Sequence, residues 1–162
     1  MKKTLVAIIT ISTILYSSLL NGQAKYDKML KKAETAYEAG NYKSALSALA
    51  KFKSKATKKL GAQNAYMPTY YLFHAKYDLA SGMVLDFETN LKTAESTSIS
   101  INQENSLKNG VFLLDAADLY IQNGAFRIAK EYLGKSKKVL DGGGFITDAL
   151  RARLDVSMSE VL

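Results

Sequence analysis

The feature that most constrains this chain is an internal repeat. Displacing the sequence by 42 residues aligns Leu30 with Leu72 and Leu114, Ala33 with Ala75 and Ala117, Gly40 with Gly82 and Gly124, and Leu49 with Leu91 and Leu133. Three further columns keep their chemistry: Tyr37, Leu79 and Ile121; Tyr42, Val84 and Phe126; Ala45, Phe87 and Ala129. A fixed period of this size marks a tandem array, in which each copy is one supersecondary unit that cannot bury its apolar face alone.

The spacing inside each copy predicts two antiparallel helices. In the third copy Val111, Leu114, Ala117, Leu119 and Ile121 run up to Asn123 and Gly124, a stop signal because glycine enters the left-handed region without a Cβ clash. Phe126, Ala129, Leu133, Ser136 and Leu140 then recur at three- and four-residue intervals, on one helical face. The first copy does the same with Met29, Ala33, Ala36 and Tyr37 before Gly40, and Tyr42, Ala45, Leu49, Phe52 and Ala56 after it. Small residues in the Ala33 column let helix axes approach, and the large residues after each glycine are expected to plug the wedge between helices. Pro68 is expected to open a helix, where its missing N–H costs nothing. Thr97 to Asn105 is expected to be loop, and the Gly142, Gly143, Gly144 run a flexible break. Phe145 to Leu162 reads as one more helix. At the same period it is the first helix of a fourth copy, with Val156 and Ser159 at the Leu and Ala positions, and either caps the last apolar face or begins a repeat that continues further.

These residues resemble the tetratricopeptide repeat. The pattern of a small residue, an aromatic, then Gly-x-aromatic-x2-Ala is matched by Ala33, Tyr37, Gly40, Tyr42 and Ala45, and by Ala117, Gly124, Phe126 and Ala129. The third copy places its aromatic, Tyr120, one position early; the middle copy has Phe87 for the small residue and Leu79 for the aromatic. The longer period is similar to that of the kinesin light chain subclass. The resemblance implies an all-α, right-handed solenoid of helix pairs, with copies at about 25–66, 67–108 and 109–144 and a partial or capping helix at 145–162. It also implies a concave groove for a protein or peptide partner, lined at positions corresponding to Leu30, Glu34, Tyr37 and Glu38; Leu72, Lys76 and Leu79; and Leu114, Asp118, Ile121 and Gln122. Charge alternates in sign between these copies, so an extended or helical segment with apolar anchors fits better than a free carboxylate.

The N-terminus reads separately. Lys2 and Lys3 precede an uncharged run from Leu5 to Leu20, and Gly22 and Ala24 stand at the small-residue positions of a cleavage site. Residues 1–24 are therefore expected to be a secretory signal. The apolar run is short for a bilayer span and is diluted by Thr10, Ser12, Thr13, Ser17 and Ser18. The remainder is expected to be exported, to a bacterial periplasm or the extracellular side of the envelope.

Composition narrows the chemistry. The absence of cysteine excludes disulfides, thiolate nucleophiles and cysteine-held metals. The single His74 sits among tyrosines and reads as a packing residue. Asp115 and Asp118 share a helix face with no base beside them and read as a solvated pair, so no catalysis, metal or cofactor is expected. The stretch from Lys25 to Lys59 carries ten lysines against Asp27, Glu34 and Glu38. Within it Lys51, Lys55, Lys58 and Lys59 form one stripe, either a solvated face or a contact for an acidic surface such as lipopolysaccharide, anionic lipid or an acidic partner. Nucleic acid is disfavoured by the expected export and by the scarcity of arginine, only Arg127, Arg151 and Arg153. Two roles remain open: a free-standing binding scaffold, or the sensor arm of a longer signalling protein or enzyme carrying a kinase, caspase-like protease or transcription regulator.

Overall fold

The computed structural model describes residues 24–162, and the expected signal peptide lies outside the described residues save for its last position. All regular structure among the described residues is α-helix, so the fold is all-α. Helix α1 covers residues 24–38, followed by α2 (Tyr42–Leu60), α3 (Met67–Ala80), α4 (Val84–Asn102), α5 (Leu107–Gln122), α6 (Phe126–Gly142) and α7 (Asp148–Ser159). Both ends of α2 and α4 lie 42 residues apart, and α6 begins in the same register.

The elbows explain that regularity. Gly40, Gly82 and Gly124 have φ of +70°, +73° and +71°. Their N–H groups donate to the carbonyls of Tyr37, Leu79 and Ile121 at 2.8, 3.1 and 2.9 Å, while the next N–H in each copy reaches Ala36, Asp78 and Tyr120 at 2.8, 2.8 and 2.9 Å. This pair of bonds is the Schellman stop, and only glycine takes its left-handed position without strain.

A second set of stops lies one helix later. Residues 61 and 103 are also 42 apart, both have positive φ, and their N–H groups donate to Thr57 and Ile99 carbonyls at 3.0 and 3.1 Å. The first is Gly61. The second is Gln103, at φ 68° and ψ 146°, a region that glycine alone occupies readily, so a side chain there costs about 1–3 kcal/mol.

The described residues form two compact units, one ending at Ala56 and the other Thr57–Leu162, with the boundary inside the last turns of α2. In the first unit α1 and α2 bury Ala33, Ala45, Leu49, Phe52 and Ala56, and the Tyr26 ring meets Phe52 edge-on at 6.1 Å. In the second, each helix packs on the next; α3 also meets α5, and α5 meets α7, so successive first helices touch. Helices in contact across links this short must run antiparallel. The Ala33, Ala45 and Leu49 columns are buried in all three copies, as are Phe52, Ala94 and Ser136. Tyr120 is not a displaced copy of Tyr37: it is buried between Phe87 and Tyr132, with ring centroids at 5.5 and 5.2 Å.

Several expectations are corrected. The Thr97 to Asn105 segment is mostly helix, held by the burial of Ser98 against Asn109 at 2.8 Å, while Thr89, Thr93 and Thr97 turn their hydroxyls back onto carbonyls one turn earlier at 2.9, 2.8 and 2.6 Å. The glycine run is an ordered stop: Gly144 (φ +65°) and Phe145 make the same pair of bonds, to Asp141 and Leu140, at 3.1 and 2.9 Å. A Cβ on Gly143 would run into the Phe145 ring. The residues after the elbows do not plug a wedge, since Tyr42, Val84 and Phe126 are exposed, although Tyr42 lies on Tyr37 at 5.4 Å.

The register of α7 differs too. It buries Leu154 and Ser157, while Val156 is 61% exposed and Ser159 is also on the surface. Leu154 and Ser157 lie 40 residues after Leu114 and Ala117, a loss of two that matches α6 ending at Gly142, two short of the 42-residue register. Pro68 lies in the first turn of α3, as expected. No described helix is long and apolar enough to cross a membrane.

Candidate functional site: two clefts

The expected partner face runs along the first helices of the three copies. Leu114 does not belong to it: it is fully buried because α5 is packed on four other helices of its unit. Leu30, Glu34, Tyr37, Leu72, Lys76, Leu79, Asp118 and Ile121 are half-buried, and Glu38 and Gln122 are exposed. Of these, Asp118, Ile121 and Gln122 come together with Ala152, Arg153, Val156, Ser157 and Glu160 of α7 around a cleft of about 470 Å³. Leu72, Lys76 and Leu79 do not line that cleft, and Leu30, Glu34 and Tyr37 lie in the other unit.

Asp115 and Asp118 are not a solvated pair. Arg153 Nη2 donates to Asp115 Oδ1 at 2.6 Å and to Asp118 Oδ2 at 2.5 Å, its Nε reaches the same Asp118 oxygen at 3.2 Å, and Ser157 Oγ donates to Asp118 Oδ1 at 2.7 Å. Burial holds the Asp115 carboxyl above its usual range despite the guanidinium beside it. Burial alone would lower the Arg153 guanidinium, but its bonds to Asp118 and Asp115 outweigh that and raise it. The cluster ties α7 to α5, and no spacing along the chain marks Arg153 as its centre.

A second cleft, of about 790 Å³, lies within the first unit between α1 and α2. Its walls carry Lys25, Lys28, Lys32, Lys51 and Lys55, its apolar lining includes Met29 and Ala48, and Ser44 and Ser47 add hydroxyls. Lys51 and Lys55 belong to the expected stripe; Lys58 and Lys59 are exposed on the last turn of α2 and do not line the cleft. The lysines of α1 were missed, although their i, i+3, i+7 spacing already places them on one face. The carboxylates of α1, Asp27, Glu34 and Glu38, fall on the opposite side of a helix with 3.6 residues per turn. Helix α2 carries six lysines and no carboxylate. Among the described residues none of the five cleft ammonium groups pairs with a carboxylate.

His74 lies against Tyr70, with ring centroids at 4.8 Å. Among the described residues no group of three His, Asp or Glu side chains converges to hold a metal ion. No family model, curated protein or solved structure matches this chain.

Proposed function

We propose that the chain is an exported binding scaffold, a right-handed solenoid of tetratricopeptide-like hairpins that captures a protein or peptide partner and carries out no reaction itself. The observation that supports this best is a cleft at the partner positions of the third copy, in an array whose elbows repeat every 42 residues. Three hairpins share one elbow geometry, and the α5–α7 cleft opens at Asp118, Ile121 and Gln122, positions that the resemblance assigns to the partner. Binding follows from shape. Ile121 and the exposed Val156 offer apolar anchors to a partner side chain, and Arg153 and Glu160 supply a polar rim that orients it. Export rests on Lys2, Lys3 and the apolar run after them.

The test is a crosslinking pulldown from cell envelopes with the full chain, run beside an Ile121→Asp, Val156→Asp variant. Capture of a discrete protein that the variant fails to capture supports the proposal. Identical capture by both chains, or none by either, removes it.

A further inference from the structure

We infer that the α1–α2 cleft is a second binding site, built for an acidic peptide segment in extended conformation. Lys25, Lys28 and Lys32 occupy the positions that Asn109, Phe112 and Ala116 hold in the third copy, where all three are buried and Asn109 is bonded to Ser98 of α4. In the third copy this face receives a neighbouring hairpin; in the first it carries lysine.

Polarity of either sign keeps an exposed helix face in water, and α7 carries Asp148, Arg151 and Asp155 exposed together. The first hairpin instead gathers one sign. Like charges on neighbouring turns repel, so five unpaired ammonium groups around one concavity form an arrangement that an anion relieves.

The shape and chemistry choose among anions. A planar bilayer does not enter a cleft, lysine serves as a point charge for a carboxylate, and the apolar lining of Met29 and Ala48 between the lysines suits the side chains of a peptide rather than a bare anion. From Ser44 to Lys55 the wall of α2 rises about 16 Å at about 1.5 Å per residue. That length accommodates about five extended residues at about 3.3 Å each. Carboxylates on alternate positions meet the lysines, and small apolar residues between them lie on Met29 and Ala48. This site is separate from the α5–α7 cleft, so each can fail without the other.

The experiment uses the full chain and a fluorescein-labelled ten-residue peptide of alternating Glu and Ala, read by fluorescence anisotropy. Binding is expected to weaken with added salt. It is expected to fall at least about tenfold when Lys28, Lys32, Lys51 and Lys55 are all changed to Gln, since exposed pairs contribute up to about 1 kcal/mol each. Changing the exposed Lys108, Lys130 and Lys138 to Gln is expected to leave affinity within about twofold, and Ile121→Asp to leave it unchanged. Equal binding of the four-lysine variant, equal binding of a Gln-Ala peptide, or binding to phosphatidylglycerol vesicles without binding to the acidic peptide would each overturn the inference.

Discussion

The first hairpin and the third share their packing and differ in what they do with charge. Ala33 and Ala117, Leu49 and Leu133, and Gly40 and Gly124 occupy equivalent sites with equivalent burial or backbone geometry. Residues 24–56 nevertheless carry eight lysines against three carboxylates. The third hairpin closes most of its charges: Arg127 on Glu131 at 2.9 Å, Lys135 on Glu95 of α4 at 3.3 Å, Lys137 on Asp141, and Asp118 on Arg153 of α7. Tyr132 also donates to Glu95, and burial together with that bond raises its phenol well above the usual range. A few columns suffice to build the hairpin, so the positions between them are free to tie one copy to its neighbours and to leave another open to a ligand.

If the shared columns carry the packing, Leu49→Ala and Leu133→Ala each cost about 2–5 kcal/mol by urea denaturation, with neither copy spared. The charges should behave in opposite ways. Asp118→Ala strips Arg153 of its main partner and is expected to cost about 1–3 kcal/mol. Lys28→Gln with Lys51→Gln is expected to change stability by less than about 0.5 kcal/mol, or to raise it by relieving repulsion. Equal losses in the two variants would erase the distinction between closed and open charge. Between these lies Gln103, whose replacement by Gly is expected to raise stability by about 1 kcal/mol, seen as a higher urea midpoint, because it restores the residue that Gly61 supplies one copy earlier.

The smallest effect is one of pH. Burial raises the Asp78 carboxyl above its ordinary 3.8, against the opposing bond from Asn90. The folded chain therefore holds that proton more tightly than the unfolded chain, and this contribution to stability is lost as pH rises through the raised folded value. Urea midpoints of the wild type and Asp78→Asn, measured between about pH 4 and about pH 7, should show a shallower pH-dependent loss in the variant.

Much of the architecture was legible because its determinants are residue types with one structural meaning. A glycine after an apolar stripe stops a helix, and alanine and leucine at matching spacings share a core. Other features had no such sign. Gln103 does not advertise a left-handed backbone, so the second set of stops was invisible, and a polar run such as Thr97 to Asn102 reads as loop unless the burial of Ser98 against Asn109 is known. The two-residue shortening of α6 displaced the expected register of α7. The candidate sites were half legible for the same reason: Lys51 and Lys55 could be placed on one face by spacing, but their meeting with Lys25, Lys28 and Lys32, or that of Arg153 with Asp115, depends on how separate helices pack.

The glycine elbows have an evolutionary corollary. A joint closed by main-chain groups around a residue with no side chain is indifferent to the identity of its surroundings, so modules running from one elbow to the next can be duplicated, removed or exchanged at such joints while their outer surfaces diverge. Lengthening this array by one 42-residue module between Gly82 and Gly124 would add new surface without redesigning any bend.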